Sequence, residues 1–339
     1  MKFHPEEYEN ALEYWKNRDF PHVSKEQHRV ISEKGKGMIN FYLRHPALHH
    51  LINLAAFAVI FGLDWWVLMR LGAYIVSPVL GGLAVGFLHS YLIYTLIVFT
   101  MHEGAAHNLV ILGKRPVSKF FRIIANNLGR IASVESDYYA KNHMQHHVHF
   151  SSPKDGEFLN FVFPKRLYKS FIPFASMLNI NDFKVHADLK YTPSRFLSMA
   201  IFLLYHGIFV FFMARHYSWT MIVIALVIVG PNVTFWLDRL RQYTEHNVMP
   251  LNVIDGARDL GLGFWGMLIG GGPWGQPCHW THHLVPGVPW YNQLRLNRFV
   301  KKTMNPEQRK VFFLKPLIGF PLLFFDLIKT TGKYEKKFS

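Results

Sequence analysis

The sequence predicts an all-α integral membrane protein, with four transmembrane helices in two hairpins and a cytosolic helical cap that carries a metal site. Three observations predict it. Four apolar runs, each about 19–23 residues long and so able to cross roughly 30 Å of hydrocarbon as a helix, interrupt a polar chain. Thirty Phe, nine Trp and 15 Tyr in 339 residues are more aromatic side chains than a soluble core of that size buries, and only 17% of residues are charged. Twenty histidines are present, and many fall in four tight clusters.

In chain order, residues 1–46 form a polar, helical cytosolic segment. The stretch Met1 to Glu7 is acidic and polar, so no secretory signal peptide is expected and insertion relies on an internal segment. The first span runs from Leu51 to about Met69. His49 and His50 precede it as interfacial residues, and Asp64 and Arg70 are assigned to the far interface. The second span runs from Val79 to Met101 and closes a first hairpin over 51–101. Its His89 is expected to be held by a hydrogen bond, because polar side chains within spans face protein. A cytosolic segment, 102–193, leads to a third span at Phe196–Ala214 and a fourth at Trp219–Leu237, the second hairpin covering 196–237. The rest, 238–339, is cytosolic. Within it 259–272 is too short and Gly-rich to span, and Val311–Ile328, with Lys315, Asp326 and two prolines, reads as an interfacial helix. No repeat or low-complexity linker divides the chain, so 1–339 is expected to be one domain.

Charge sets the orientation. Of the 37 Lys and Arg, only Arg70 and Arg215 fall in the short connections inside the hairpins. The positive-inside rule then puts both termini and the middle segment in the cytoplasm. A basic membrane face also accounts for the net charge of +15, and no nucleic-acid partner is expected. Cys278 is the one cysteine, which excludes disulfides and cysteine-based zinc or iron–sulfur sites; it reads as a small buried residue.

The clusters are His102-Glu103-Gly104-Ala105-Ala106-His107, His143-Met144-Gln145-His146-His147, Glu245-His246-Asn247 and His279-Trp280-Thr281-His282-His283. All emerge on the same predicted membrane side. In His-x-x-His-His the histidines occupy i, i+3 and i+4, one face of a helix, where imidazoles can converge on a metal. Chance predicts roughly 0.07 copies of that triplet in a chain of this composition, yet two are present. His102 and His107 are five apart, so either they serve different metals or the helix loosens between them. His149 is rotated off the face of its cluster.

Nine imidazoles exceed one tetrahedral zinc about twofold and point to two metals. Iron, zinc, copper and nickel suit such ligands; calcium and magnesium do not. The chain has no Glu-x-x-His, which excludes the carboxylate di-iron bundle. A histidine-rich metal transporter is the distant alternative, since its ligands would lie along a path inside the spans.

From about Leu51 to Tyr291 the order of spans and boxes resembles the membrane fatty acid desaturase family of histidine-box di-iron enzymes. The stretch from His282 to Tyr291 is similar to the segment that follows the last box in many desaturases. The run Arg241-Gln242-Tyr243-Thr244-Glu245-His246 resembles the Arg-x-x-x-Glu-His element of the bacterial branch near rhizobitoxine-type desaturases.

The resemblance implies two iron ions held by His102, His107, His143, His146, His147, His246, His279, His282 and His283. It also implies O2 as co-substrate and oxidation of an unactivated C–H bond of a fatty acyl chain, presented as free acid, acyl-CoA, acyl carrier protein or lipid. Desaturation is the first reading; hydroxylation, or oxidative decarboxylation to a terminal alkene, is the alternative. No electron-carrier motif is present, so a separate donor is expected: a ferredoxin, a rubredoxin or a cytochrome b5-like protein. The bacterial inner membrane is the expected location, with lipid as the remaining partner.

Glu103, Asp155 and Glu245 are candidates to accept the second N–H of ligand imidazoles. Gln242, one turn before His246, either reaches the metals through water or packs. Arg239 and Arg241 are candidate anchors for a substrate carboxylate, and Trp290 and Tyr291 candidate pocket walls.

Overall fold

The computed structural model describes residues 19–132, 136–150, 152, 155, 193–315 and 318–338. The expected N-terminal helix over its first 18 residues and most of the middle segment, 156–192, lie outside the described residues. Among the described residues every regular element is helical, and the lone extended pairing is a bridge between Asp259 and Phe313. Four helices are long and apolar enough to cross a membrane: α2 (Pro46–Met69), α3 (Pro78–Ala106), α6 (Pro193–Met213, apolar from Phe196) and α7 (Trp219–His246). The remaining helices are α1 (Lys25–Arg44), α4 (Pro116–Asn127), α5 (Ser136–Val148), α8 (Phe264–Ile269), α9 (His279–Leu284), α10 (Trp290–Thr303), α11 (Pro306–Phe312) and α12 (Gly319–Phe338).

The chain divides into two compact units, one from Pro46–Ala140 and Ser170–Leu237, the other from Lys2–His45, Lys141–Lys169 and Asp238–Ser339. In the first, Ser77 caps α3 ahead of Pro78, and Ser218 accepts the Met221 N–H at the start of α7. Outward-facing Leu51, Leu54, Val59, Trp65, Phe196, Leu203, Leu204 and Phe211 are exposed, as helices bathed in lipid require. Inward, Val67, Leu68, Val85, Phe209, Met213, Ile222 and Ala225 form the core. Gly82 and Gly86, four apart, let α3 approach α7 closely: a Cβ on Gly86 would stand 2.8 Å from the Ala225 Cα.

Two spans widen into π-helical turns, Val98–Ala106 in α3 and Val223–Val229 in α7. The second ends at Gly230, whose N–H reaches back to the Ala225 carbonyl. Pro231 follows, has no N–H and crowds the preceding turn, which accounts for the loosened ladder.

Asp64 in the bundle is paired with two donors. His89 donates from Nδ1 to Asp64 Oδ1 at 2.7 Å, and the Tyr205 hydroxyl donates to Asp64 Oδ2 at 2.6 Å. The expected hydrogen-bonded His89 is present. Asp64 is 1% exposed, and two donors from neighbouring helices offset its desolvation.

The second unit is built on Ile31, Met38, Trp280, Leu284, Val288, Leu296, Val300 and Phe312. Ser24 and Gln27 form a capping box on α1. Trp280 stacks on Phe312 at 4.1 Å and donates to the Ile254 carbonyl at 2.6 Å, which fixes α9 between its histidines. The expected helix over Val311–Ile328 is two: α11 ends at Phe312, and α12 starts at Gly319, beyond Pro316. Prolines break helices because they cannot donate to the preceding turn.

Candidate metal centre

A complete four-histidine cluster lies in the second unit. His146 comes from α5, His246 from the last residue of α7, and His279 and His283 from α9. One nitrogen of each lies within 4.8 Å of the others, and all four residues are buried. His279 and His283, one turn apart, place their Nε2 atoms 3.0 Å from each other, and His279 Nε2 is 3.0 Å from His246 Nε2. The other box triplet members extend the array: His147 Nε2 is 3.0 Å from His143 Nε2 and 3.3 Å from His282 Nε2. In the first unit, the rings of His102 and His107 lie 4.9 Å apart.

Tautomers follow from what the remote nitrogens touch. His246 Nδ1 faces the Gly256 carbonyl at 3.1 Å, which can only accept, so Nδ1 carries the proton and Nε2 offers its lone pair. His146 Nδ1 lies 3.1 Å from both oxygens of buried Asp155, and His102 Nδ1 3.1 Å from Glu103 Oε1, with the same consequence. Burial pushes His279 well below the usual imidazole range, helped by neighbouring His283 and His246. It brings His107 down to about 4. Neutral, desolvated imidazoles with lone pairs facing one another repel unless a cation lies between them. The donor set therefore fits a transition-metal ion and does not fit calcium or magnesium.

The carboxylates and guanidinium groups around this array are tied to each other. Glu245 Oε2 accepts from Arg241 Nη1 at 2.7 Å and stands 3.6 Å from His279 Nε2. Arg241 also donates to Gln276 at 3.1 Å and to Asp238 at 3.1 Å. Arg239 donates to the Gln242 side-chain oxygen at 3.2 Å, and the Gln242 amide donates to Asp238 at 3.2 Å. Trp290 packs its ring 4.8 Å from Trp274, and burial beside Tyr42 pushes the Tyr291 hydroxyl up to about 12.

Several supporting residues carry no signal in the sequence. Arg258 is buried and donates to the carbonyls of Thr244 at 2.7 Å and Asn247 at 2.8 Å, closing the C-terminal turn of α7 beside His246. Asp259 receives the Thr281 N–H at 3.1 Å and hydroxyl at 2.8 Å, and the Asn297 amide, so it anchors the middle of the last box. His49 and His50 hold the backbone beyond His107, and His49 is 1% exposed. Only the fold brings these residues to the boxes.

Residues 77–315 match the family model described as fatty acid desaturase. No curated protein matches the chain. No solved structure matches it either.

Proposed function

The chain belongs to the fatty acid desaturase family, and from that premise we propose that it is a membrane di-iron oxidase that desaturates a fatty acyl chain with O2 and electrons from a separate donor. The observation that carries this reading is the convergence of buried His146, His246, His279 and His283, with ligand nitrogens within 4.8 Å of one another. In this reading those four and His102, His107, His143, His147 and His282 hold two iron ions. The iron pair, when bound, supplies the O2 chemistry needed to break an alkyl C–H bond, which side-chain acids and bases do not.

The chain's own residues orient, desolvate and exclude. Asp155, Glu103 and the Gly256 carbonyl hold remote imidazole N–H groups, so ring planes and lone pairs are set before metal arrives. Arg241 neutralises Glu245, so the carboxylate that sits 3.6 Å from His279 Nε2 is buried as one partner of an ion pair and not as an isolated charge. Overall, two substrate hydrogens, two electrons, two protons and O2 become a carbon–carbon double bond and two waters.

Placement of the boxes on the cytoplasmic side of a bacterial inner membrane is supported by the distribution of Lys and Arg, of which only Arg70 and Arg215 fall within the hairpin connections. That side gives a soluble donor access, and the basic surface favours an acidic one.

The test is gas chromatography–mass spectrometry of lipids, free fatty acids and headspace from aerated cells that express the wild type or His143→Ala. The expected product appears only with the wild type, keeps the carbon number and has lost two hydrogens. A gain of one oxygen would replace desaturation by hydroxylation, and a product one carbon shorter would replace it by decarboxylation.

A further inference from the structure

Resting on the reading above, we infer that His49 and Asn53 of α2 are positioning residues for His107, acting through the backbone turn that follows it. His107 is the last residue held by the wide turn of α3, and no helix continues beyond it. The chain reverses at Asn108, whose φ of 55° is a left-handed conformation that asparagine tolerates better than most residues. Its N–H returns to the Gly104 carbonyl at 2.9 Å, and that of Leu109 to the Glu103 carbonyl at 2.7 Å. Where the His107 ring points therefore depends on what grips residues 109–112.

The first turns of α2 supply that grip. His49 Nε2 meets the Leu109 carbonyl at 2.6 Å, and the Asn53 amide donates to the Val110 carbonyl at 2.8 Å. The Leu112 N–H donates to His50 Nε2 at 2.9 Å. Tautomers follow: the Leu109 carbonyl can only accept, so His49 carries its proton on Nε2, while His50 accepts there and carries its proton on Nδ1. The 3.0 Å approach of the Asn53 amide nitrogen to His49 Nε2 is then a packing contact between two donors aimed at successive carbonyls. His49 and Asn53 are each 1% exposed, so the carbonyls they serve have no water to replace them. Both act on the backbone two and three residues beyond a proposed ligand, an outer position comparable to that of residues that orient metal-binding side chains.

The test is a Co2+ titration of the metal-free full-length protein in detergent, followed by visible absorption, with the thermal midpoint recorded for each variant. The wild type is expected to fill two sites. In His49→Leu and in Asn53→Ala one step weakens about 10–100-fold and the other keeps its affinity. His49→Gln, which retains an N–H donor, recovers the weakened step to within about threefold of wild type. Asn53→Ala removes the amide that serves the Val110 carbonyl and carries the test should His49→Leu fail to fold. Unchanged steps in a folded variant would overturn the inference and leave the di-iron reading intact. Both steps weakening in parallel with the thermal midpoint would do the same, by reducing the two residues to general supports of the bundle. A wild type that binds no cobalt would remove both readings.

Discussion

The backbone N–H of His107 donates to the carbonyl oxygen of His102 over 3.2 Å, a five-residue step that leaves their imidazoles 4.9 Å apart. On a regular α-helix, residues five apart point about 140° away from each other. The wide turn, with fewer degrees per residue, narrows that angle: the helix loosens between the pair. π-helical turns are rare and concentrate at functional positions, which fits this one carrying both histidines of a box.

Removing an imidazole from that turn tests the pairing. His107→Ala is expected to abolish product formation, by at least 1,000-fold (~4 kcal/mol), and to lower iron content measured by plasma mass spectrometry. His149→Ala, at a position turned off the box face, is expected to leave both within about twofold. Equal losses from the two variants would dissolve the distinction between box and bystander histidines.

Asp155 is expected to matter through metal affinity. In Asp155→Asn the 3.1 Å contacts to His146 Nδ1 weaken, and an amide at that place can present its N–H instead of an acceptor. Loss of such a partner lowers metal affinity about 10–100-fold. Chelator competition reads this directly, and an unchanged competition curve would reject the role.

Helix approach in the bundle is tested by glycines. Gly86→Leu forces a side chain where a Cβ already stands 2.8 Å from the Ala225 backbone, and about 1–3 kcal/mol of destabilisation is expected. Gly62 on α2 has nothing within 4 Å of its Cβ position, so Gly62→Ala is expected to gain up to about 1 kcal/mol from helix propensity. Thermal midpoints in detergent should move in opposite directions; a Gly86→Leu midpoint at or above that of the wild type would show that α3 and α7 are not packed through Gly86.

Asp259 predicts a pH dependence. Burial raises its carboxyl to about 7, against the hydrogen bonds from Thr281 and Asn297, whereas the unfolded group titrates near 3.8. Between those values the folded protein holds a proton that the unfolded chain has released. Its contribution is therefore complete at low pH and declines as pH rises towards 7, by up to about 4 kcal/mol. Histidines titrate in the same window, so the readout is the difference between wild type and Asp259→Asn. That difference in thermal midpoint is expected to shrink from pH 5.5 to pH 8 as the wild type loses its advantage. A difference that stays constant would show that Asp259 does not change its proton there.

How much of this could be read from the sequence depends on the range of each signal. The spans and box triplets are periodic features within 5 to 25 residues, so apolar runs located α2, α3, α6 and α7, and the i, i+3, i+4 spacing located α5 and α9. The partners that hold the rings are less legible. Asp155 follows His146 by nine residues and could be guessed. The Gly256 carbonyl cannot, because every residue has one. Arg258, Asp259, His49 and Asn53 resemble ordinary polar residues until the chain folds back on itself. The pairing of Asp64 is hidden for the same reason: its donors, His89 and Tyr205, come from two other helices.

The unbroken course of α7 from Trp219 to His246 constrains which changes of length the chain can inherit. Between Gly230 and His246, one inserted or deleted residue turns the terminal imidazole by about 100° and shifts it by about 1.5 Å. Substitutions there keep the histidine in place; gaps do not. A wide turn such as Val223–Val229 already houses an extra residue, and the short connection at 214–218 lies upstream of the helix. In an alignment of homologous chains, indels should therefore gather at those two places, and the stretch leading to His246 should vary in letters but not in count.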